Sequence, residues 1–272
     1  MEVESARGND LGRMLDEAER RIREHPAAIE HGMCLSIEWS LTAVFQPNLR
    51  EVLALLDAAA TDETLAIELI QNVRPPIVRE QFHRLVAQRL HNYLASAASL
   101  VDHVRRVMRD RNGDIADEFQ RRKSVVLADP EIRFVFDLRH YTVHRALPLI
   151  GHRFAEKSGG PFESEVQIGV PALKEWDGWS NVSQGFLQRS ADSIPLRPLI
   201  RKHGDFVGSL NVWLHNALAD ANAARLSEVD QLVVARNAIL VGGDLELARR
   251  ITAESTARRS LVTDTQAGRS HA

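Results

Sequence analysis

The 272-residue chain carries 34 Lys and Arg against 37 Asp and Glu, a formal charge of −3, so any anionic partner must find a local basic patch. With 44% hydrophobic and 26% charged residues it can bury a sizeable core, as one large unit or two packed halves. Its single cysteine, Cys34, lies among Met33, Leu35 and Ile37 and reads as a buried small hydrophobe, which excludes a disulfide framework and a cysteine-based zinc site.

Met1 to Asp10 contain Glu2, Glu4 and Asp10 and no apolar leader, and no run approaches the roughly 18 apolar residues of a spanning helix. A cytoplasmic protein without membrane contact is the expectation. Leu11, Met14, Leu15, Ala18 and Ile22 mark a short amphipathic helix ending before Pro26. Ala27 to Phe45 is apolar around most of its circumference, as in a buried helix, and Pro47-Asn48 breaks it. A helix from Leu49 to about Ala60 follows, and Thr61-Asp62-Glu63 starts a short one through Ile70.

Pro75-Pro76 opens the longest helix, which Asn112-Gly113 ends. Phe82, Leu85, Tyr93, Ala97, Leu100 and Val104 form its packing seam. Asp102 lies on a flanking line of small residues, where it can partner a cation on a neighbouring helix or remain a solvated charge beside Arg105 and Arg106. His83 and His91 read as solvent-facing or capping residues. Asp114 through Val126 is helical with a basic cluster at Arg121, Arg122 and Lys123. Asp129-Pro130-Glu131 then starts another helix, with Asp as cap and Pro in the first turn, expected to run to Leu147. Gly159-Gly160-Pro161 marks a turn and Glu165 to Val170 alternates as the second arm of a β-hairpin. Helical pattern resumes from Pro171 to about Arg189 and from Pro195 to about Asn222. Ser227 caps a final helix through Arg250, with Gly242-Gly243 inside its pattern, and the tail lacks an apolar period. No nucleotide or cofactor fingerprint occurs.

One cluster stands out. On the helix from Pro130, the residues Ile132, Val135, Phe136, Val143 and Leu147 form an apolar stripe, and Arg139 falls in its middle. An arginine there must be paired, reach out to solvent, or open onto a polar cleft that takes an anion, because it cannot lose its proton. His140 lies at the edge of the stripe and His144 one turn further on.

The segment Asp137-Leu138-Arg139-His140-Tyr141-Thr142-Val143-His144-Arg145 resembles the motif of the HEPN superfamily, an arginine followed after four to six residues by a histidine. The resemblance spans the long helix and the motif helix, roughly 76–147. It implies a helical bundle, a homodimer with its site in a cleft between subunits, RNA as partner, and metal-independent ribonuclease chemistry without a cofactor. Arg139 would hold a phosphate and His144 would act on the ribose 2′-hydroxyl, leaving a cyclic phosphate, with His140, Tyr141 and Asp102 as the supporting shell. Residues five apart on an ideal helix diverge by about 140°, so convergence of Arg139 with His144 needs long side chains, a distorted helix or a second subunit.

Two other readings of the cluster stay open. Arg139, His140 and His144 can form a satisfied polar network with Asp137, Asp102 or backbone carbonyls in a non-catalytic interaction module that serves a protein partner. Asp137, His140 and His144 also have spacings compatible with a metal site, although no HExxH pattern supports one. The expected architecture is an all-α, multi-helix bundle with one small inserted β-hairpin near 152–170. Along the chain this divides into an N-terminal helical cap (1–60), a HEPN-like core (61–150), a hairpin insert (151–171), C-terminal helices packed on the core (172–250) and a disordered tail (251–272).

Overall fold

The computed structural model describes residues 2–70, 77–155 and 163–254, with the side chains of 2–9 left aside. The elements are α1 (Glu2–Glu24), α2 (Pro26–Trp39), a π-helical turn (Ser40–Phe45), α3 (Gln46–Thr61), α4 (Glu63–Ile70), α5 (Ile77–Met108), α6 (Asp114–Leu127), α7 (Pro130–His144), β1 (Ile150–Ala155), β2 (Glu163–Gly169), α8 (Pro171–Lys174), α9 (Asn181–Arg189), β3 (Ser193–Pro195) and α10 (Leu196–Leu240). Residues 245–254 are also helical. The protein is therefore a largely all-α bundle with a small antiparallel sheet, and among the described residues no helix is long and apolar enough to cross a membrane. The turn at Gly159-Gly160-Pro161, the Pro75-Pro76 helix start and the tail beyond residue 254 lie outside the described residues.

The chain divides into two compact units, residues 1–35 with 218–272 and residues 36–217, with the boundaries inside α2 and α10. In the first unit Asn222, 3% exposed, donates through Nδ2 to the Ala27 carbonyl at 2.9 Å. Gly242 and Gly243, expected inside a helix, instead end α10 with φ of 70° and 96°, a left-handed conformation that other residues adopt only at a cost. Asp244 then caps the following helix, accepting from the Glu246 and Leu247 amides at 3.0 and 2.9 Å.

In the second unit, α3 packs on α5 and on β2, while α7 packs on α5 and α9. Phe45, Val52, Leu56, Tyr93, Leu100 and Phe134 are fully buried. Pro47 does not break the helical path as its sequence suggests. The preceding turn widens, so that the Gln46 amide donates to the Leu41 carbonyl, and Asn48 Nδ2 donates to the Val44 carbonyl at 2.8 Å. The expected hairpin is present, pairing Ile150 with Ile168, and it acquires a third strand that pairs Ile168 with Ile194. Three residues are too few to show a period in sequence.

Helix α7 begins where Asp129-Pro130 predicts: the Asp129 carboxylate accepts from the Glu131 and Ile132 amides at 3.0 and 3.1 Å. Lys202 of α10 then bridges Asp129 at 2.7 Å and Glu131 at 2.5 Å, which fastens that start to α10. The helix stops at His144, three residues short of expectation. The Arg145 and Ala146 amides both turn back to the Tyr141 carbonyl, and the chain then enters the sheet, where Leu149 accepts from Gly169.

Candidate functional site

Helix α7 presents two chemically different faces. On one, Phe134, Leu138 and Tyr141 are buried, and Tyr141 stacks on Trp179 with ring centres 5.5 Å apart and 11° between planes. Trp176 stands edge-on to both rings. Gly178 makes this possible, since a Cβ there would lie 2.2 Å from the Trp176 ring. Trp179 donates through Nε1 to the Leu173 carbonyl at 2.7 Å, so the indole pair is tied down as well as packed.

Asp137, 7% exposed, belongs to the same saturated region. Its Oδ2 accepts from the Ser180 hydroxyl at 2.5 Å, the Ser183 hydroxyl at 2.7 Å and the Ser180 amide at 3.2 Å. Arg133 completes the set, its Nη2 lying 3.2 Å from Oδ1. The aspartate therefore locks the start of α9 onto α7, and its charge is answered before it can reach Arg139 or a metal.

The opposite face opens on a cavity of about 690 Å³ walled by α5, α6, α7 and α10. Arg139 lies on its wall, half-buried, with no ion-pair or side-chain hydrogen-bond partner among the described residues. Arg105, Arg109, Lys123 and Arg133 line the same space. Two carboxylates reach it, and both are already engaged: Asp137 as above, and Asp102 with Arg105 at 2.7 Å. Asp102 is thus a solvated intrahelical partner, 59% exposed, and not the counter-ion of α7. Arg109, Lys123 and Arg139 remain without an ion pair among the described residues, so the cavity carries net positive charge on a chain that is negative overall.

The expected site residues separate accordingly. Arg139 and His140 share the cavity wall, whereas His144 is exposed at the end of α7 and does not line it. The two imidazoles stack with centres 5.9 Å apart and 18° between planes, so His144 stands beside a residue of the cavity wall. Tyr141 points the other way, into the aromatic block. Among the described residues no three His, Cys, Asp or Glu side chains stand together as metal ligands.

Sequence reasoning passed over two histidine features. His83 is half-buried, not solvent-facing: its Nε2 lies 3.0 Å from Nδ1 of His152 on β1, and burial pushes His152 down to about 4. His203 of α10 is 1% exposed, lines the cavity, and is pushed down to about 3 by burial alone. Its signal was present, since His203 falls on the apolar line of Leu199, Phe206 and Leu210 as Arg139 falls on that of α7.

Fold and site together define a largely all-α bundle in which α7 bears two stacked histidines and an arginine without an ion pair among the described residues, beside a basic cavity. No family model, curated protein or solved structure matches the chain.

Proposed function

We propose that the protein acts on RNA as a HEPN-like, metal-independent endoribonuclease, with Arg139 as the phosphate anchor and His144 as the proton-transfer group. The observation that supports this most is Arg139 itself, half-buried yet without an ion pair among the described residues, on a wall shared with Arg109 and Lys123. A guanidinium held without a counter-ion is a ready receptor for phosphate oxygens, which it can engage through two parallel hydrogen bonds.

The chemistry requires a base and an acid. The base removes the 2′-hydroxyl proton, O2′ attacks the adjacent phosphorus, the bond from phosphorus to O5′ breaks, and the acid protonates the departing O5′. A 2′,3′-cyclic phosphate remains. The stacked pair supplies both groups, His144 on the solvent side as base and His140 on the cavity side as acid, and imidazole is the side chain that titrates nearest neutrality. Purified protein incubated with mixed RNA in chelator should produce cyclic-phosphate ends. Arg139→Ala and His144→Ala should each lower the rate by roughly a hundredfold or more. Equal cleavage by wild type and variants, or none by any of them, would sink the proposal.

A second reading is a non-catalytic interaction module, and one observation favours it. Val143, Leu147 and Leu149, at the end of α7 and just beyond, are 51%, 51% and 69% exposed, an apolar strip suited to a protein partner or a second copy of the chain. Here Leu147→Glu with Leu149→Glu should abolish partner binding or self-association in sedimentation, while RNA is untouched by every variant.

A further inference from the structure

A phosphate bound by Arg139 would fill little of the cavity beside it. At about 690 Å³ the space is of the size that takes a small organic molecule. Its walls also differ from its rim. Arg105 and Arg109 are exposed and Lys123 and Arg139 half-buried, which puts the charge toward solvent. Beside them Ala98 and Val101 of α5, Phe136 of α7, and Phe206 and Leu210 of α10 line the same space. Each of these apolar residues is half-buried and not sealed in the core, so part of each is open to an occupant.

Helical geometry fixes where this apolar wall lies relative to Arg139. Phe136 and Arg139 are three residues apart on α7, roughly 4.5 Å of rise, and both line the cavity. Packing against α10 orients Phe136: its ring meets that of the buried His203 at 69°, with centres 4.6 Å apart. Phe206 follows His203 by three residues on α10, so a second phenyl ring reaches the same space. A guanidinium without an ion pair among the described residues thus stands one turn from an aromatic wall. A nucleotide joins the matching elements, a phosphate and a flat aromatic ring, through one sugar. Proteins hold unpaired bases by stacking them on aromatic side chains.

We propose that the cavity seats one nucleobase of the RNA, that of the nucleotide whose phosphate Arg139 holds, with the base against the phenyl rings of Phe136 and Phe206. The inference rests on Arg139 as the phosphate anchor and adds what the base must do: leave its stack and enter the pocket. Gln120, exposed on the α6 side of the lining, carries an amide that both donates and accepts, which answers the polar edge of the base. Every base has a π-face, so the pocket selects for the presence of a base more than for its identity. Phe206 and Leu210 lie outside the segment that resembles the HEPN motif, so the pocket belongs to this chain and not to the motif.

Two 2′-O-methyl RNA hexamers of equal length and charge test this, one of adenylates and one abasic. The methyl group on O2′ prevents its attack on phosphorus, so both stay intact and binding is read apart from cleavage. By fluorescence anisotropy with the full chain, the adenylate hexamer should bind roughly 5- to 100-fold more tightly, the range that one stacked base supplies. Ala98→Phe, which fills the space from α5, and Phe206→Ala, which removes one ring, should each lower the adenylate affinity toward the abasic value and leave the abasic hexamer unchanged. The wild-type comparison needs neither variant.

Equal affinity for the two hexamers, a base preference that survives Ala98→Phe, or no binding of either hexamer would overturn the pocket. Cleavage of unmodified RNA together with equal affinities would keep the ribonuclease and remove the pocket. A base preference lost in Ala98→Phe, with no cleavage of unmodified RNA, would keep the pocket and remove the ribonuclease.

Discussion

The two faces of α7 are built on opposite principles, although they share one helix of fifteen residues. Toward α9 the central polar groups are answered: Asp137 by two serines and an arginine, Trp179 by a carbonyl, and the aromatic rings pack on one another. Toward the cavity the opposite holds, with Arg139, Arg109 and Lys123 lacking ion pairs and His203 and Asn211 lacking one hydrogen bond each, among the described residues. A saturated face contributes stability and fixes position. An unsaturated one costs stability, and the cost of its unpaired charges is recovered only when something binds. The contrast is what points the proposed function to the cavity side.

The comparison can be broken at several points. The largest effect should come from His203. Its affinity for a proton drops from the ordinary histidine value near 6.5 to about 3 on folding, because burial penalises the charged ring. The unfolded chain therefore binds the extra proton between those two values, so stability is complete above pH 6.5 and is lost as the pH falls toward 3. The loss is on the order of 5 kcal/mol by linkage. His152, lowered to about 4, adds to the same window from the sheet side. Urea unfolding of wild type and His203→Phe across pH 4 to 7 checks this: the variant should show the shallower slope, and parallel curves would remove His203 from the account.

Next in size is Asp137→Ala, which leaves Arg133 without its partner and frees the start of α9, and should cost about 3 kcal/mol in the same assay. Arg139→Ala, by contrast, breaks no ion pair or side-chain hydrogen bond among the described residues and should change stability by less than about 0.5 kcal/mol. Comparable losses from the two would mean that Arg139 is a structural residue after all. Fluorescence of Trp176 and Trp179 offers a smaller and sharper readout: Asp137→Ala should shift it and Arg139→Ala should leave it alone, since only the former lies with the aromatic block.

Much of α7 was legible in sequence because its signals are local. Asp129-Pro130 announces the start, and Arg139 is conspicuous because a charge interrupts a period; but the stripe it interrupts follows the cavity side and ends at Val143 and Leu147, both 51% exposed, while the buried side is that of Phe134, Leu138 and Tyr141. The end was less so, since the chain stops at His144 to join a sheet whose third strand is too short to show. The 45-residue α10 was divided in two in sequence, because Asn222 and Ser227 look like a stop and a start to local rules. In the structure Asn222 is instead a buried donor to Ala27, a pairing that spans 195 positions and that no window can contain.

By itself the sequence determined the helical class, most of the α5 seam and the presence of a misplaced arginine, each of which follows from propensity, capping and periodicity within a few turns. Only the tertiary structure decided what that arginine means. Asp137 lies two residues from Arg139 in sequence but turns to Ser180 and Ser183, and Asp102 turns to its own helix, so the two carboxylates that might have neutralised Arg139 are spent elsewhere. Whether a buried charge is structural or receptive depends on which partners reach it, and that is a property of how distant helices pack.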